Sequence, residues 1–227
     1  MLKIDIFELP VQFAAVELAE VKVTENQTAF ARMLECAEEY AERYAWTPPS
    51  EIPGVQAARR LFHAVGIDPT KRRPSSEALL HRALKRKGFE SVNALVDVGN
   101  WCSLEFLLPT CIYDVAQIEG LVVLRRGRPG EQYEALNGRL MEFEGKPVLA
   151  DDLGPFGSPL TDSQRTAVRM HTRTALLGIW APQDYDRSLL LEQAEQFAER
   201  ALQVCGGKLV SLAVLPPAAT QASPLSP

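Results

Sequence analysis

The sequence predicts an α+β fold, with a mixed and largely antiparallel set of sheets flanked by helices. Three observations carry this. Segments of period-two alternation lie between segments of helical spacing, but without the regular strand–helix–strand alternation of a doubly wound sheet. The 227 residues, 46% of them apolar, suffice to bury a full core as one large domain or two small ones. The phosphate-binding and hydrolase signatures G-x-G-x-x-G, the Walker loop, G-x-S-x-G and H-E-x-x-H are all absent.

From the N-terminus, Leu2, Ile4 and Ile6, then Val11, Phe13 and Ala15, alternate as two strands broken near Pro10. Thr24 opens a T-x-x-Q capping box closing at Gln27. Phe30, Met33, Leu34, Ala37, Ala41 and Tyr44 follow as the apolar stripe of a helix over about 25–45. The run 47–54 is a turn, and 54–64 a short helix ending before Gly66. Pro69 and Pro74 forbid a continuous helix beyond it. Ser75 or Ser76 then caps a helix that places Lys85, Arg86 and Lys87 in its last turn before Gly88. Residues 92–108 open as strand or helix and become helical from about Asp97. Strands are expected at 120–125, near 132–136, near 147–151 and at 175–181. Asp186 caps an amphipathic helix ended by Gly206-Gly207, and KLVSLAVL closes the fold as a strand. The Pro/Ser/Ala-rich run 216–227 reads as a flexible tail.

The start MLKIDIFELP reads as no signal peptide, and no window approaches the 18 apolar residues of a membrane span. Cys36, Cys102, Cys111 and Cys205 lack zinc-type spacing, which suits free thiols in a reduced, cytoplasmic protein with no metal and no cofactor. The net charge of −5 argues against non-specific nucleic-acid binding. It hides an asymmetry, because residues 59–87 carry 9 basic and 2 acidic side chains between two acidic segments. Lys71, Arg72, Arg82, Lys85, Arg86 and Lys87 are therefore candidates for binding a polyanion, with a solvated helix face as the alternative.

Within that segment, Arg73, Ser75, Ser76 and Glu77 stand at a helix N-terminus, where free N–H groups and the dipole attract an anion; helix capping alone is the competing reading. Asn93, Asp97 and Asn100 are polar positions in an apolar run, suited either to wiring a loop or to lining a pocket. Asp114 and the pair Asp151-Asp152 follow the same logic, with a turn expected at D-D-L-G. His63, His81 and His171 complete no nucleophile pattern, and no base can be assigned to Cys111.

These landmarks have an order that resembles a known family. Asn93, Val96, Asp97 and Asn100 spell N-x-x-V-D-x-x-N, Leu104, Glu105 and Pro109 spell L-E-x-x-x-P, and Tyr113-Asp114 and Gly120 follow. Gly130, Glu131, Leu136 and Gly138 then precede Ala150-Asp151-Asp152. This run, from about 75 to 156, is similar to the B3/B4 editing module of the phenylalanyl-tRNA synthetase β-subunit, and the D-P-T-K-x-R-P-S-S-E stretch resembles a subgroup of free-standing proteins built on it. The resemblance implies an α+β fold, with a main domain over 51–215 and an N-terminal addition of strands and helix over 1–50 packed on it, tRNA or aminoacyl-tRNA as partner, and a pocket for an amino acid esterified to the tRNA terminus. It also implies ester hydrolysis by a positioned water with hydrogen bonds to the developing oxyanion. The implied substrate pocket comprises Arg73, Ser75, Ser76, Glu77, Asn93, Asp97, Asn100, Cys111, Asp114, Asp152 and Arg165.

The chain departs from the family at two places. P-T-C-I-Y-D puts Cys111 where the synthetase has a histidine in P-x-H-A-F-D, and SPLTDSQRT replaces the Gly-Gly loop after A-D-D. Two readings follow: a trans-acting deacylase of mischarged tRNA, or a non-catalytic module that binds tRNA or an amino-acid ligand.

Overall fold

The computed structural model describes residues 2–217, so from residue 218 onward the expected tail lies outside the described residues. Two four-stranded sheets and five α-helices make up the body of the described residues. The first sheet orders β1 (Ile4–Ile6), β4 (Val122–Arg126), β7 (Pro147–Asp151) and β8 (Gly154–Gly157). Within it β1 and β4 are parallel, while β4, β7 and β8 run antiparallel. The second orders β10 (Lys208–Leu215), β2 (Val11–Ala19), β9 (Thr174–Pro182) and β3 (Thr110–Asp114), antiparallel throughout. A small hairpin pairs β5 (Gln132–Glu134) with β6 (Leu140–Glu142).

The second sheet is the centre of the molecule. β2 and β9 are its interior strands and are buried on both faces, which is why both read as near-continuous apolar runs. On one face, Ala14, Val16, Leu177 and Ile179 pack against Val98 of α4 (Ala94–Phe106) and Phe197 of α5 (Arg187–Cys205). On the other, Phe13 and Trp180 meet edge to face at 5.3 Å and join Leu124, Leu149 and Phe156 of the first sheet and Phe62 of α2 (Val55–Ala64). A third cluster joins α1 (Thr28–Arg43), α3 (Ser75–Leu84) and α4 through Met33, Leu80 and Leu104.

Several local expectations are corrected. Thr24 does not cap α1: the Asn26 side chain accepts from the Thr28 N–H at 2.7 Å, and the helix starts at Thr28. Cys36 occupies the buried stripe of α1, while Leu34 is exposed. Neither Ser75 nor Ser76 caps α3, whose N-cap is Pro74. That helix ends at Leu84, and Arg86 turns left-handed (φ 47°), so Lys85–Lys87 lie beyond the last turn. The PTCIYD run, read as a turn, is β3. Two further strands, β6 and β8, give no alternating signal because they are only three and four residues long.

Candidate functional site

α4 begins where Asn93 accepts the Val96 N–H at 3.0 Å, an N-cap worth about 1 kcal/mol. One helical step on, the buried Asp97 carboxylate takes the Ser91 hydroxyl at 2.5 Å and the Val92 N–H at 3.0 Å. These two residues fix the entry of the helix, and Asn100 follows on the face turned toward β3. The helix ends at Leu107, left-handed at φ 55°, and the Ser103 hydroxyl donates to Leu108 O at 2.9 Å. The chain then folds back as β3, and the Thr110 hydroxyl ties that strand to Gly99 O at 3.0 Å.

β3 is an edge strand. Trp180 N–H bonds Pro109 O, so with the observed register Cys111 and Tyr113 face β9 with their backbone groups. The N–H groups of Thr110, Ile112 and Asp114 therefore turn outward. Asp114 N–H donates to Thr166 O at 2.9 Å, and a single bridge, Tyr113 to Ala167, holds the 157–169 segment along this end of the strand. Toward Thr110 and Ile112 the segment diverges, leaving a cavity of about 450 Å³ against the strand edge. Val92, Val96, Ile112, Leu136 and Val168 form its apolar wall; Asn100, Thr110, Cys111, Asp162, Gln164 and Arg169 supply its polar groups.

The 157–169 segment is held firmly. The Ser158 hydroxyl accepts from Leu160 N–H and Thr161 N–H, and Ser158 N–H bonds Thr161 O. The Tyr133 hydroxyl donates to Thr161 O at 2.6 Å, and Asp162 O accepts Leu136 N–H. This turn aims the Asp162 carboxylate at β3, where the Tyr113 hydroxyl donates to it at 2.5 Å. Gly157 makes room for that hydroxyl, since a Cβ there would stand 2.0 Å from it.

Burial lifts the Asp162 carboxyl to about 7, even though the Tyr113 hydroxyl and the Ser158 N–H favour its charged form. Burial, with the Asp162 charge next in weight, pushes the Cys111 thiol well above the ordinary range. Cys111 is therefore a protonated wall group at neutral pH and not an activated nucleophile.

The other residues expected in a pocket lie elsewhere. Arg73 and Ser75 are exposed at the start of α3, and Ser76 is buried with its hydroxyl unpartnered among the described residues. Glu77, 2% exposed, is gripped by Arg59 of α2 through two bonds of 2.9 and 2.6 Å. Asp114 receives the Thr172 hydroxyl at 2.7 Å and the Ala116 N–H at 3.1 Å. Asp152 is exposed; its neighbour Asp151 is the buried one, bound by both Arg165 nitrogens at 2.9 Å. Of the basic set, Arg86 pairs with Glu38, Arg82 donates to Gly88 O, and Lys71 lies 3.8 Å from Asp68. Lys71, Arg72, Lys85 and Lys87 are exposed, and none of the basic set lines the cavity. Only Asn100 and Cys111 of the expected pocket residues do so. Asp162, Gln164 and Arg169 escape the sequence reading, although they sit in or beside the polar SPLTDSQRT run where the family pattern breaks off. Among the described residues no cluster of three or more His, Cys, Asp or Glu is disposed to hold a metal, and no helix is long and apolar enough to cross a membrane.

The model of the B3/4 domain matches residues 57–203, which run from within α2 to within α5 and include the whole cavity. The chain is similar to phenylalanine–tRNA ligase beta subunits. That of Chromobacterium violaceum is 29% identical over 187 residues, covering 70% of this chain and 23% of that protein. That of Ralstonia nicotianae is 26% identical over 161 residues, covering 60% and 20%, and that of Streptomyces avermitilis is 34% identical over 93 residues, covering 40% and 11%. The chain thus spans less than a quarter of the length of these relatives. Among solved structures, an N-terminal fragment of the phenylalanyl-tRNA synthetase beta-subunit from Pyrococcus horikoshii aligns over 95% of this chain and 54% of that one, at 12% identity and a TM-score of 0.46.

Proposed function

The chain belongs to the B3/4 domain family, and from that premise we propose that it acts on aminoacyl-tRNA in trans, hydrolysing the ester of a mischarged tRNA in the cavity between α4, β3 and the 157–169 segment. The observation that carries this reading is the cavity itself. It lies wholly within the family match, it is large enough for an aminoacyl group, and it combines an apolar wall with outward-facing backbone N–H groups and a half-buried carboxylate. Apolar walls bind a side chain, and an N–H aimed into a water-poor site stabilises the oxyanion of acyl transfer. The similar chains are named as tRNA ligase subunits, which supports a tRNA-bound substrate over a free ester.

The test is deacylation of a panel of misacylated tRNAs by the full chain. The expected result is hydrolysis of at least one member well above its spontaneous rate; uniform spontaneous rates across the panel would refute the proposal. A second reading, non-catalytic binding of tRNA or an amino-acid ligand, is favoured by one observation. The position that carries a histidine in the synthetase pattern is a thiol held protonated by burial. Saturable binding of misacylated tRNA without turnover would establish that reading instead.

A further inference from the structure

We infer that Asp162 is the acid–base residue of this cavity, supplied by the 157–169 segment next to the position where the synthetase pattern places its histidine. The inference rests on the ester-hydrolysis reading above and assigns a chemical step within it.

Three features point to Asp162. Among the described residues it is the only carboxylate on the cavity wall, and it shares that wall with Cys111. Its orientation is imposed from several directions: the Ser158 turn, Tyr133 holding Thr161, Leu136 N–H on its own carbonyl, and Tyr113 on its carboxylate. A side chain so fixed needs no reorganisation as a proton moves. The third feature is its titration. The titratable or charged groups around it are Cys111 and Tyr113 of β3, Tyr133 of β5 and Arg169 on the rim. Burial pushes the thiol and both phenols upward, out of the neutral range. Asp162, raised to about 7, is left as the group that exchanges a proton near neutrality, where a general base is most effective.

The step balances without a further reactant. The Asp162 carboxylate takes a proton from a water as that water's oxygen bonds to the ester carbonyl carbon. The carbonyl oxygen, now negative, faces the outward N–H groups of Thr110 and Ile112, since that of Asp114 is taken by Thr166 O. On collapse the ester C–O bond breaks, and the ribose oxygen leaves with the proton that Asp162 held. The products are the free amino acid and the tRNA hydroxyl.

The experiment measures kcat and KM of the wild type, Asp162→Asn and Tyr113→Phe across pH 5–9, roughly the span over which a group near 7 titrates. The substrate is the misacylated tRNA that the wild type hydrolyses fastest. The wild type is expected to show a limb rising through about pH 7. Asp162→Asn is expected to lose about 10²- to 10⁴-fold in kcat, with KM little changed and that limb gone. Tyr113→Phe removes a bond that stabilises the carboxylate, so its limb is expected at higher pH. A merely structural Asp162 would give no such movement. If Asp162→Asn fails to fold, as shown by its melting curve, the limb of Tyr113→Phe decides: a shift upward supports the assignment, an unmoved limb overturns it. A raised KM at unchanged kcat also overturns it, making Asp162 a binding group only. A wild-type chain inactive on every acylated tRNA overturns the hydrolase reading itself, and the assignment with it.

Discussion

At the scale of single residues, Asp162 also shapes stability. Its folded-state pKa, about 7, lies above the ordinary value of a free aspartate, so the native state holds this proton more tightly than the unfolded chain does. The contribution is fully present below about pH 4 and is lost as pH rises through about 7. Urea unfolding of the wild type is therefore expected to show a component that falls across this window, and Asp162→Asn is expected to lack it. Identical pH slopes for the two proteins would refute the burial argument. Asn93 offers a separate measurement. Its side chain satisfies the Val96 N–H at the start of α4, so Asn93→Ala is expected to cost about 1 kcal/mol in urea unfolding. An unchanged midpoint would show that α4 is fixed by Asp97 and packing alone. The sequence marks Asn93, Asp97 and Asn100 as one polar group, but not their division of labour. Asn93 and Asp97 bond the backbone at 92 and 96 and the Ser91 hydroxyl, while Asn100 faces the cavity. Helical spacing marks a face; it does not say what lies opposite.

At the scale of elements, the long amphipathic or apolar segments are legible in the sequence and the short edge pieces are not. α1, α2, α5, β2, β9 and β10 all announce themselves by period or by continuous apolarity. β3 does not, because five residues after a proline, ending in two consecutive buried residues, break the strand alternation and resemble a turn. Yet β3 is the element on which the cavity is built, and its packing on β9 depends on a glycine. At Gly178 an added Cβ would stand 2.3 Å from Phe13 Cζ and 2.7 Å from Cys111 Sγ. Both neighbours are buried in the same packed layer, with Trp180 edge-on to Phe13. Gly178→Ala is therefore expected to cost about 1–3 kcal/mol through overpacking. It should also displace Cys111 and so perturb ligand binding in the cavity. A midpoint of denaturation equal to the wild type's would show that the layer yields more easily than its packing implies.

At the scale of the whole molecule, the question is how an acidic protein of net charge −5 would hold a polyanion. The basic segment is divided by α3. Arg72 and Lys71 are exposed before its N-terminus, while Lys85 and Lys87 are exposed past its end. Ten helical residues separate the two groups by roughly 15 Å, a distance that a nucleic-acid backbone crosses in a few phosphates. Other cations of the segment are engaged within the protein, Arg59 with Glu77, Arg86 with Glu38 and Arg82 with Gly88 O, so their replacement would confound binding with folding. Arg72, Lys85 and Lys87 are the cleaner probes, together with Lys71, whose approach to Asp68 is long and exposed. Reversing all four to glutamate is expected to leave the melting temperature nearly unchanged, since exposed charges contribute little to stability. If this face meets the tRNA backbone, the change should weaken binding by orders of magnitude at low salt. It should also flatten the dependence of log Kd on log salt by about 0.7–0.9 for each phosphate that is no longer neutralised. An unaltered slope would place the tRNA on another surface and leave the split basic segment as solvated flanks of α3.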